Sequence, residues 1–213
     1  VSHMAEIDIL GEEAEAFIQH LVTNDISQMV DGSVLYTLMC RNHGGIIDDL
    51  LVYRFTNRHY FFCVNASNSE KDFQWVSDQA SSFNVKISDI SNVTGQLALQ
   101  GPNSEILLRA LCDIDLGGLK YYHFEIGKID RTECIISRTG YTGENGFEVY
   151  CDSTDIVAIY QKIMKTGEAF QIQPAGLAAR DTLRLEMGYA LYGQEINENS
   201  SPLEARLGWV VKL

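Results

Sequence analysis

The sequence has 213 residues, of which 46% are hydrophobic and 21% charged, and its formal net charge is −13. This composition is typical of a globular protein with a substantial core, and the length allows one large or two small domains. The acidic excess argues against nucleic-acid binding, which needs clustered Lys and Arg, and no stretch reaches the roughly 20 apolar residues of a membrane span. We therefore expect neither a nucleic-acid partner nor a membrane association.

The five cysteines are spread singly along the chain, with no Cys-x-x-Cys pair. An odd number without metal-binding spacing predicts free thiols in a reducing compartment and no metal site. The chain begins with Val1 and ends in the apolar run 209–213. Because a domain usually ends in polar residues, we expect this sequence to be a piece of a longer protein.

The first half of the sequence alternates between strand and helix patterns. Strands are predicted at Glu6 to Leu10, Val34 to Cys40, Ile46 to Phe55, Tyr60 to Asn65 and Val85 to Ile90, with helices at Glu12 to Leu21 and Ser69 to about Ala80. The order β-α-β-β-β-α-β is close to a ferredoxin-like split βαβ unit with one added strand. We assign this unit to residues 5–92.

A polar stretch from Ser91 to Thr94 marks the predicted domain boundary. Beyond it, strands are predicted at Gln96 to Gln100, His123 to Ile129, Arg131 to Arg138 and Phe147 to Cys151, with helices at Asn103 to Leu111, Thr154 to about Lys165 and Ala175 to Met187. Residues 93–213 are therefore expected to form a second α+β domain. The predicted fold class of the whole chain is α+β.

A glycine-rich loop lies between two strands of the second half. Gly140, Gly143 and Gly146 recur at every third position within the segment Ser137 to Glu148. Glycine permits positive φ and close approach of the backbone to a ligand, and a loop with little bulk and several polar groups favours binding. A phosphate-binding loop is disfavoured because no lysine is near and a strand, not a helix, follows. A glycine-rich hairpin without a ligand is the alternative.

Asp48 and Asp49 interrupt a strand that is otherwise apolar. Successive strand residues point to opposite faces, so the two carboxylates are not expected to share a proton. One should face inward and the other should face solvent or the hairpin turn. Burial disfavours an ionised carboxylate without a partner, which makes the inward one a candidate site residue. A carboxylate satisfied by backbone amides at the hairpin is the alternative.

Two arginines and several tyrosines complete the candidate residues. Arg180 and Arg184 lie four residues apart on one face of a predicted helix. They form either structural ion pairs or a bidentate contact with a carboxylate or ring carbonyl. The tyrosines near strand and loop ends are Tyr36, Tyr53, Tyr121, Tyr122 and Tyr189. Such residues are either edges of the core or, with a carboxylate, the walls of a pocket for a planar heterocycle.

The order of these features resembles the aminomethyltransferase (T-protein) family of the glycine cleavage system. The matching segments are Val1-Ser2-His3-Met4, Thr23-Asn24-Asp25, Gly44 to Leu50, Val64 to Asp72, Gln100-Gly101-Pro102, Ser137 to Glu148, Pro174 to Asp181 and Leu191 to Glu195. Together they span the chain and are highly specific. The family's fold has a C-terminal barrel domain after a folate-binding α+β domain, and the barrel is missing from this sequence.

The resemblance implies an enzyme that takes an aminomethyl group from the lipoyl arm of the carrier H-protein. The one-carbon unit passes to tetrahydrofolate, ammonia leaves, and 5,10-methylenetetrahydrofolate and the dihydrolipoyl carrier result. Tetrahydrofolate is then the co-substrate, no metal is needed, and the expected location is the cytoplasm, or the mitochondrial matrix in a eukaryote. A non-catalytic or differently acting folate-binding relative is the alternative.

The resemblance also implies roles for individual residues. Asp49 corresponds to the catalytic carboxylate near folate N5, where it can polarise the amine and stabilise a developing iminium charge. Glu148 corresponds to the carboxylate that binds the pterin. The other positions that match the folate pocket are Met4, Tyr36, Asn65, Tyr122, Tyr141 and Arg180. Because the family's chain is longer at both ends, we expect the isolated piece to be poorly active or inactive.

Overall fold

The computed structural model describes Val1 and residues 3–212. Ser2, in the first matching segment, and Leu213, at the end of the predicted second domain, lie outside the described residues. The chain separates into two compact units, the first comprising residues 3–91 and 190–212 and the second comprising Val1 and residues 92–189. This division differs from the predicted domain of residues 93–213, because residues 190–212 belong to the first unit.

The first unit is built on a five-stranded antiparallel sheet in the order β2-β3-β4-β1-β5. Its strands are β1 (Met4–Gly11), β2 (Val34–Cys40), β3 (Ile46–Thr56), β4 (His59–Asn65) and β5 (Val85–Asp89), and its helices are α1 (Ala14–Leu21) and α2 (Ser69–Gln79). The first strand lies inside the sheet, between β4 and β5, as a split βαβ unit requires. β2 is the added strand, at the sheet edge.

Both helices of the first unit pack on one face of this sheet. The apolar residues of α1 recur at helical spacing, and Ala14, Phe17, Ile18 and Leu21 are all buried. The sheet residues buried with them are Ala5, Ile7, Ile9, Ile47, Leu50, Val52, Tyr60, Phe62 and Val64. This core holds the ends of β3 and β4 in place.

Residues 190–212 pack on a separate apolar cluster of the first unit. Its buried members are Leu38, Ile46, Ile196, Leu207 and Val210. The backbone N–H of Ile46, at the start of β3, donates to the carbonyl of Asn197 at 3.2 Å. The apolar side chains of this segment thus pack against β2 and β3. This packing explains why the segment belongs to the first unit and not to the predicted second domain.

The second unit contains a four-stranded antiparallel sheet in the order β6-β9-β8-β7. Its strands are β6 (Thr94–Gln100), β7 (Phe124–Ile129), β8 (Thr132–Ser137) and β9 (Gly146–Asp152), and its helices are α3 (Ser104–Arg109), α4 (Ile156–Gly167) and α5 (Leu177–Glu186). Leu107 and Leu108 of α3 and Ile159 of α4 are buried against Phe147 and other sheet residues. The glycine-rich loop joins β8 to β9. The two antiparallel sheets with their helices confirm the predicted α+β class.

None of the helices in the described part of the chain has the length and apolar character of a membrane span.

Gly45 provides a test of the contact between β3 and the segment that follows residue 190. A Cβ atom at Gly45 would lie 1.9 Å from the carbonyl oxygen of Glu198, a distance that forces the backbones apart. We expect Gly45→Ala to lower the free energy of unfolding by about 1–3 kcal/mol, the usual cost of overpacking. Thermal unfolding followed by circular dichroism measures the effect.

Gly176→Ala is the matched control for this substitution. A Cβ atom at Gly176 meets nothing within 4 Å, and its φ of −86° suits alanine. We expect this variant to unfold close to the wild-type midpoint, because the restriction of the unfolded chain by alanine and the weaker N-cap of α5 act in opposite directions. Equal midpoints for the two variants would contradict the close approach of Gly45 to Glu198.

Candidate active site

The strand register of the first unit brings four of the expected site residues to one face of its sheet. Met4 of β1 pairs with Asn65, the last residue of β4. The register between Leu51 and Cys63 places Asp49 across from Asn65. Since cross-strand partners share a face, Met4, Asn65 and Asp49 lie side by side. Tyr36 reaches the group from β2 and bonds directly to Asp49.

Two neutral donors hold the carboxylate of Asp49. The hydroxyl of Tyr36 donates to Oδ2 at 3.1 Å, and Nδ2 of Asn65 donates to Oδ1 at 2.9 Å. Burial and, next, the nearby charge of Asp48 raise the pKa of Asp49 to about 7, although the two donors oppose this shift. Asp49 therefore exchanges between its neutral and ionised forms near neutral pH.

Asp48 points to the other face of the sheet, toward α2, as strand geometry predicted. It is completely buried and accepts hydrogen bonds from the backbone N–H of Asn65 at 3.0 Å and from the side-chain amides of Asn65 and Asn68 at 2.9 and 2.6 Å. Asp49 is half-buried, so the expectation of one inward and one solvent-facing carboxylate is only approximate. The amide of Asn65 bonds to both carboxylates, which sequence reasoning did not foresee.

Trp209 is a contact of this group that sequence reasoning missed. Its ring stacks on that of Tyr36, with centroids 5.7 Å apart and an interplanar angle of 23°. The indole remains 61% exposed, so only part of its surface is covered by the protein. A large exposed aromatic residue close to the chain end was the available signal. The stacking fixes the tyrosine ring whose hydroxyl bonds to Asp49.

Glu148 is the centre of the second group, which lies in the second unit. The hydroxyl of Thr139 donates to its Oε2 at 2.6 Å, and Nε2 of Gln96 donates to its Oε1 at 2.8 Å. Burial raises the pKa of Glu148, while Thr139, the positive charge of Arg180 and Gln96 oppose the shift, in that order. A carboxylate held in this way presents an acceptor of fixed orientation.

Arg180 and Arg184, which sequence spacing could not distinguish, have different environments. The guanidinium carbon of Arg180 lies 4.2 Å from the ring centroid of Tyr141, a cation–π contact. The ring of Tyr141 also contacts that of Tyr189, with centroids 5.6 Å apart. Arg184 is buried and donates to Asp181 and to the carbonyl of Tyr189. Arg184 is thus structural, and Arg180 remains the candidate ligand contact.

Tyr122 occupies an unusual backbone conformation. Its φ is 57°, in the left-handed region that residues other than glycine seldom adopt, and such strain is often found at functional sites. Its ring meets that of Tyr121 edge to face at 4.8 Å. Burial raises the pKa of Tyr122, and the charges of Tyr121, Tyr189 and Glu148 add to the effect. Tyr122 therefore lies within electrostatic reach of Glu148.

Gln100 explains the spacing of two glycines in the loop. A Cβ atom at Gly140 or Gly146 would lie 2.0 or 2.3 Å from Oε1 of Gln100. The amide of Gln100 donates to the carbonyls of Thr139 and Phe147 at 3.2 and 3.3 Å, so it ties the two ends of the loop together. Sequence reasoning missed this role and that of Gln96. The signal was their alternation on one face of the apolar strand β6.

The residues expected at the site therefore form two groups, one in each unit. Met4, Tyr36, Asp49 and Asn65 belong to the first unit, and Tyr122, Tyr141, Glu148 and Arg180 belong to the second. Among the described residues, no cluster of three or more His, Cys, Asp or Glu side chains has a geometry that could hold a metal ion.

Comparison with known proteins identifies the family of the chain. Residues 1–213 match the family described as the GCVT N-terminal domain. The chain belongs to this family. It is 49% identical over 214 residues to an aminomethyltransferase of Alkaliphilus oremlandii and 48% identical over 213 residues to one of Caldanaerobacter subterraneus. The chain spans 58% and 57% of the lengths of these two relatives.

Two solved structures are similar to this chain in fold. The glycine cleavage system aminomethyltransferase T from Bartonella henselae matches all of this chain with a TM-score of 0.90 and 30% identity, and the match covers 56% of that protein. A chain of the heterotetrameric sarcosine oxidase from Corynebacterium matches 83% of this chain with a TM-score of 0.61. At 11% identity, the second match shows a shared fold and nothing more.

The hydrogen bond from Tyr36 predicts a change in the titration of Asp49. Tyr36→Phe removes a donor that stabilises the ionised carboxylate, so the pKa of Asp49 should rise above its value of about 7 by about one pH unit. Carbon-13 NMR of aspartate carboxyl groups measures the titration. Tyr192→Phe is the control, because the Tyr192 hydroxyl donates to the carbonyl of Ile46. An unchanged Asp49 titration in the Tyr36 variant would contradict this hydrogen bond.

Thr139 provides the corresponding test in the second unit. Thr139→Val removes the hydroxyl that lies 2.6 Å from Glu148, so the pKa of Glu148 should rise further above that of an ordinary glutamate. NMR titration of the glutamate carboxyl groups measures this change. Thr132→Val, on the neighbouring strand β8, keeps the Thr139 hydroxyl and should leave Glu148 as it is. A shift of the same size in both variants would argue against the specific contact.

Proposed function

We propose that this chain carries the folate-binding and catalytic part of an aminomethyltransferase of the glycine cleavage system. The reaction moves the aminomethyl one-carbon unit from the lipoyl arm of the H-protein to tetrahydrofolate. It releases ammonia and forms 5,10-methylenetetrahydrofolate, and we expect it to occur in the cytoplasm. Membership of the GCVT N-terminal domain family and the aminomethyltransferase relatives support this proposal.

The observation that carries the proposal is the environment of Asp49. This carboxyl group lies between two neutral donors and beside a second carboxylate, and its pKa of about 7 lets it take either charge state at neutral pH. General acid–base groups work best when their pKa lies near the operating pH.

Asp49 would act on the nitrogen that attacks the one-carbon unit. Its ionised form can accept a hydrogen bond from the amine of tetrahydrofolate and orient the nitrogen lone pair toward the incoming carbon. The same negative charge stabilises the iminium character that develops when ammonia leaves. The hydroxyl of Tyr36 and the amide of Asn65 keep the carboxylate in one orientation during these steps.

Glu148 and its neighbours suit recognition of the pterin ring. A pterin presents adjacent N–H donors on one edge, and each oxygen of Glu148 keeps a lone pair besides the one used by Thr139 or Gln96. Tyr141, with Arg180 on its ring, offers the kind of planar surface on which a heterocycle stacks. Met4, Asn65 and Tyr122 are proposed as further contacts of the folate.

Replacing the proposed catalytic carboxylate tests the function. We expect Asp49→Asn to lower the rate of aminomethyl transfer by about 10²- to 10⁴-fold, the usual contribution of a positioned acid–base group. Tetrahydrofolate binding, measured by calorimetry, should persist because Glu148 and its neighbours remain. The assay follows methylenetetrahydrofolate formation from aminomethylated H-protein, with this chain alone and joined to the remaining length of the A. oremlandii relative.

Asp89→Asn is the control for this experiment, since it removes an exposed carboxylate from β5 of the same sheet. Its rate should equal that of the wild type. If Asp49→Asn keeps the full rate, Asp49 is not the catalytic carboxylate. If the extended wild-type protein binds folate but transfers nothing, the chain is a folate-binding relative with another role.

A further inference from the structure

A third buried carboxyl group lies behind the pair on β3. Asp72 of α2 is completely buried, and in the described part of the chain neither of its oxygens has a hydrogen-bond donor. Asn68, which donates to Asp48 at 2.6 Å, immediately precedes α2, and Asp72 follows it by four residues, so the two side chains lie on one face of the helix start. This places Asp72 beside Asp48, whose charge is one cause of the raised pKa of Asp72. A carboxylate usually occurs on the exposed face of a helix, so a buried one with no donor requires an explanation.

The hydrogen bonds of Asp48 decide which of the two carboxyl groups holds a proton. Asp48 accepts from three N–H groups, two of Asn65 and one of Asn68, and hydrogen bonds of this kind stabilise the ionised form. Asp72 receives none. Two adjacent buried carboxylates cannot both be ionised at low cost, so the proton resides on Asp72.

The surrounding charges agree with this assignment. Burial is the largest cause that raises the pKa of Asp72, followed by the charge of Asp48 and the hydrogen bond to it, and Asp49 adds a smaller contribution. Lys71, on the same helix, acts in the opposite direction. Its ammonium group, however, donates to the carbonyl of Ile47 at 2.7 Å and to the hydroxyl of Tyr192 at 2.8 Å.

We propose that Asp72 is a neutral carboxylic acid that donates its proton to a hydrogen bond with Asp48 and, through Asp48 and Asn65, positions Asp49. Asp72 is thus a positioning residue and does not contact the substrate. The proposal rests on the proposed function only in giving Asp49 its catalytic role. The protonation of Asp72 and its effect on Asp48 and Asn65 do not depend on that function.

Each of these side chains orients the one that it bonds to, from Asp72 through Asp48 and Asn65 to Asp49. The proton of Asp72 occupies a lone pair of Asp48 and adds a fourth donor to the three N–H groups that this buried carboxylate accepts from. The ionised Asp48 then accepts from Nδ2 of Asn65 at 2.9 Å, which selects the side-chain amide orientation that directs its NH₂ group to the carboxylates. From that orientation the same nitrogen donates to Asp49 at 2.9 Å. Without Asp72, Asp48 would hold the amide of Asn65 less firmly.

The stability of the chain as a function of pH tests the protonation of Asp72. An acid that stays neutral in the folded state takes up a proton on folding above the unfolded pKa of about 4, so wild-type stability falls as pH rises. Asp72→Asn keeps a neutral donor and removes this dependence. From pH 5 to pH 7, the ratio of the wild-type to the variant unfolding constant should therefore increase about 100-fold.

Chemical denaturation at a series of pH values measures this ratio in the chain as it stands. Asp78→Asn removes an exposed carboxylate from the same helix and is the matched control. A ratio that increases for Asp72→Asn but not for Asp78→Asn supports the neutral acid. A ratio for Asp72→Asn that stays constant over this range overturns it, because Asp72 would then be ionised in the folded protein.

NMR of the Asn65 side-chain amide and of the Asp49 carboxyl group tests the positioning role. In Asp72→Asn, the amide resonances and the Asp49 midpoint should stay close to wild type, within about 0.3 pH unit, because a neutral donor is retained. In Asp72→Leu the donor is lost, and the amide resonances should shift or broaden. Unchanged resonances in a folded Asp72→Leu variant overturn the positioning role.

If Asp72→Leu does not fold, Asp72→Asn alone remains decisive. If Asp72 were ionised in the folded wild type, contrary to the proposal, Asp72→Asn would remove a negative charge close to Asp49. The titration midpoint of Asp49 would then fall by about one pH unit. Neither measurement involves catalysis. An inactive extended protein would therefore count against the proposed function and leave the assignment of Asp72 standing.

Discussion

The amide nitrogen of Asn65 donates hydrogen bonds to both Asp48 and Asp49, 2.9 Å from an oxygen of each. The two carboxylates point to opposite faces of the sheet, and Asn65 at the end of β4 reaches both because the register places it across from Asp49. A buried carboxylate and a half-buried one so close together are costly to ionise unless donors compensate them. Here amide and hydroxyl groups, not cations, supply most of that compensation, so the charge remains available to a ligand.

In the second unit the corresponding constraint is the size of Gln100. Its side-chain amide bonds to backbone carbonyls at both ends of the glycine-rich loop, and it occupies the space that a Cβ atom at Gly140 or Gly146 would enter. A side chain at either glycine would displace the end of the Gln100 side chain and disturb its bonds to the loop, so a neighbour within the protein, and not only a ligand, favours glycine there. The loop contains Tyr141 and leads into β9, where Glu148 accepts hydrogen bonds from Thr139 and Gln96. A glycine pattern can thus be structural and still shape a binding site.

The strands and helices could be predicted from the sequence because they depend on local periodicity. The apolar run of β3 and the helical pattern of α1 were both visible. The location of residues 190–212 could not be predicted from the sequence. An apolar segment can pack on any exposed apolar surface, and only the three-dimensional structure shows which surface it covers. Leu38 and Ile46 give no sign in the sequence that they need Ile196.

Residues with placed polar groups were found when they interrupted an apolar strand, as Asp48 and Asp49 do, or clustered in a loop, as around Glu148. On the helices, the spacing of Arg180 and Arg184 was noticed, but Asp72 was missed. Asp72 stands among Glu70, Lys71 and Asp78 on α2, where acidic residues are expected to face solvent. Its burial depends on the rotation of the helix against β3, which periodicity gives only to within a residue or so. Contacts of this kind can be recognised only from the tertiary structure.

The carboxyl groups of Asp49 and Glu148 have different neighbours, and the difference suits the role proposed for each. Asp49 has neutral donors and an anionic neighbour, which bring its pKa to about 7 and suit a group whose charge must respond to the reaction. Glu148 has similar donors but also the positive charge of Arg180 to oppose the effect of burial, which favours the ionised form. An anchor for pterin N–H groups should stay ionised, because a protonated carboxyl group would present a donor to a donor. The distinction therefore arises from the neighbour of each carboxyl group, an aspartate for one and an arginine for the other.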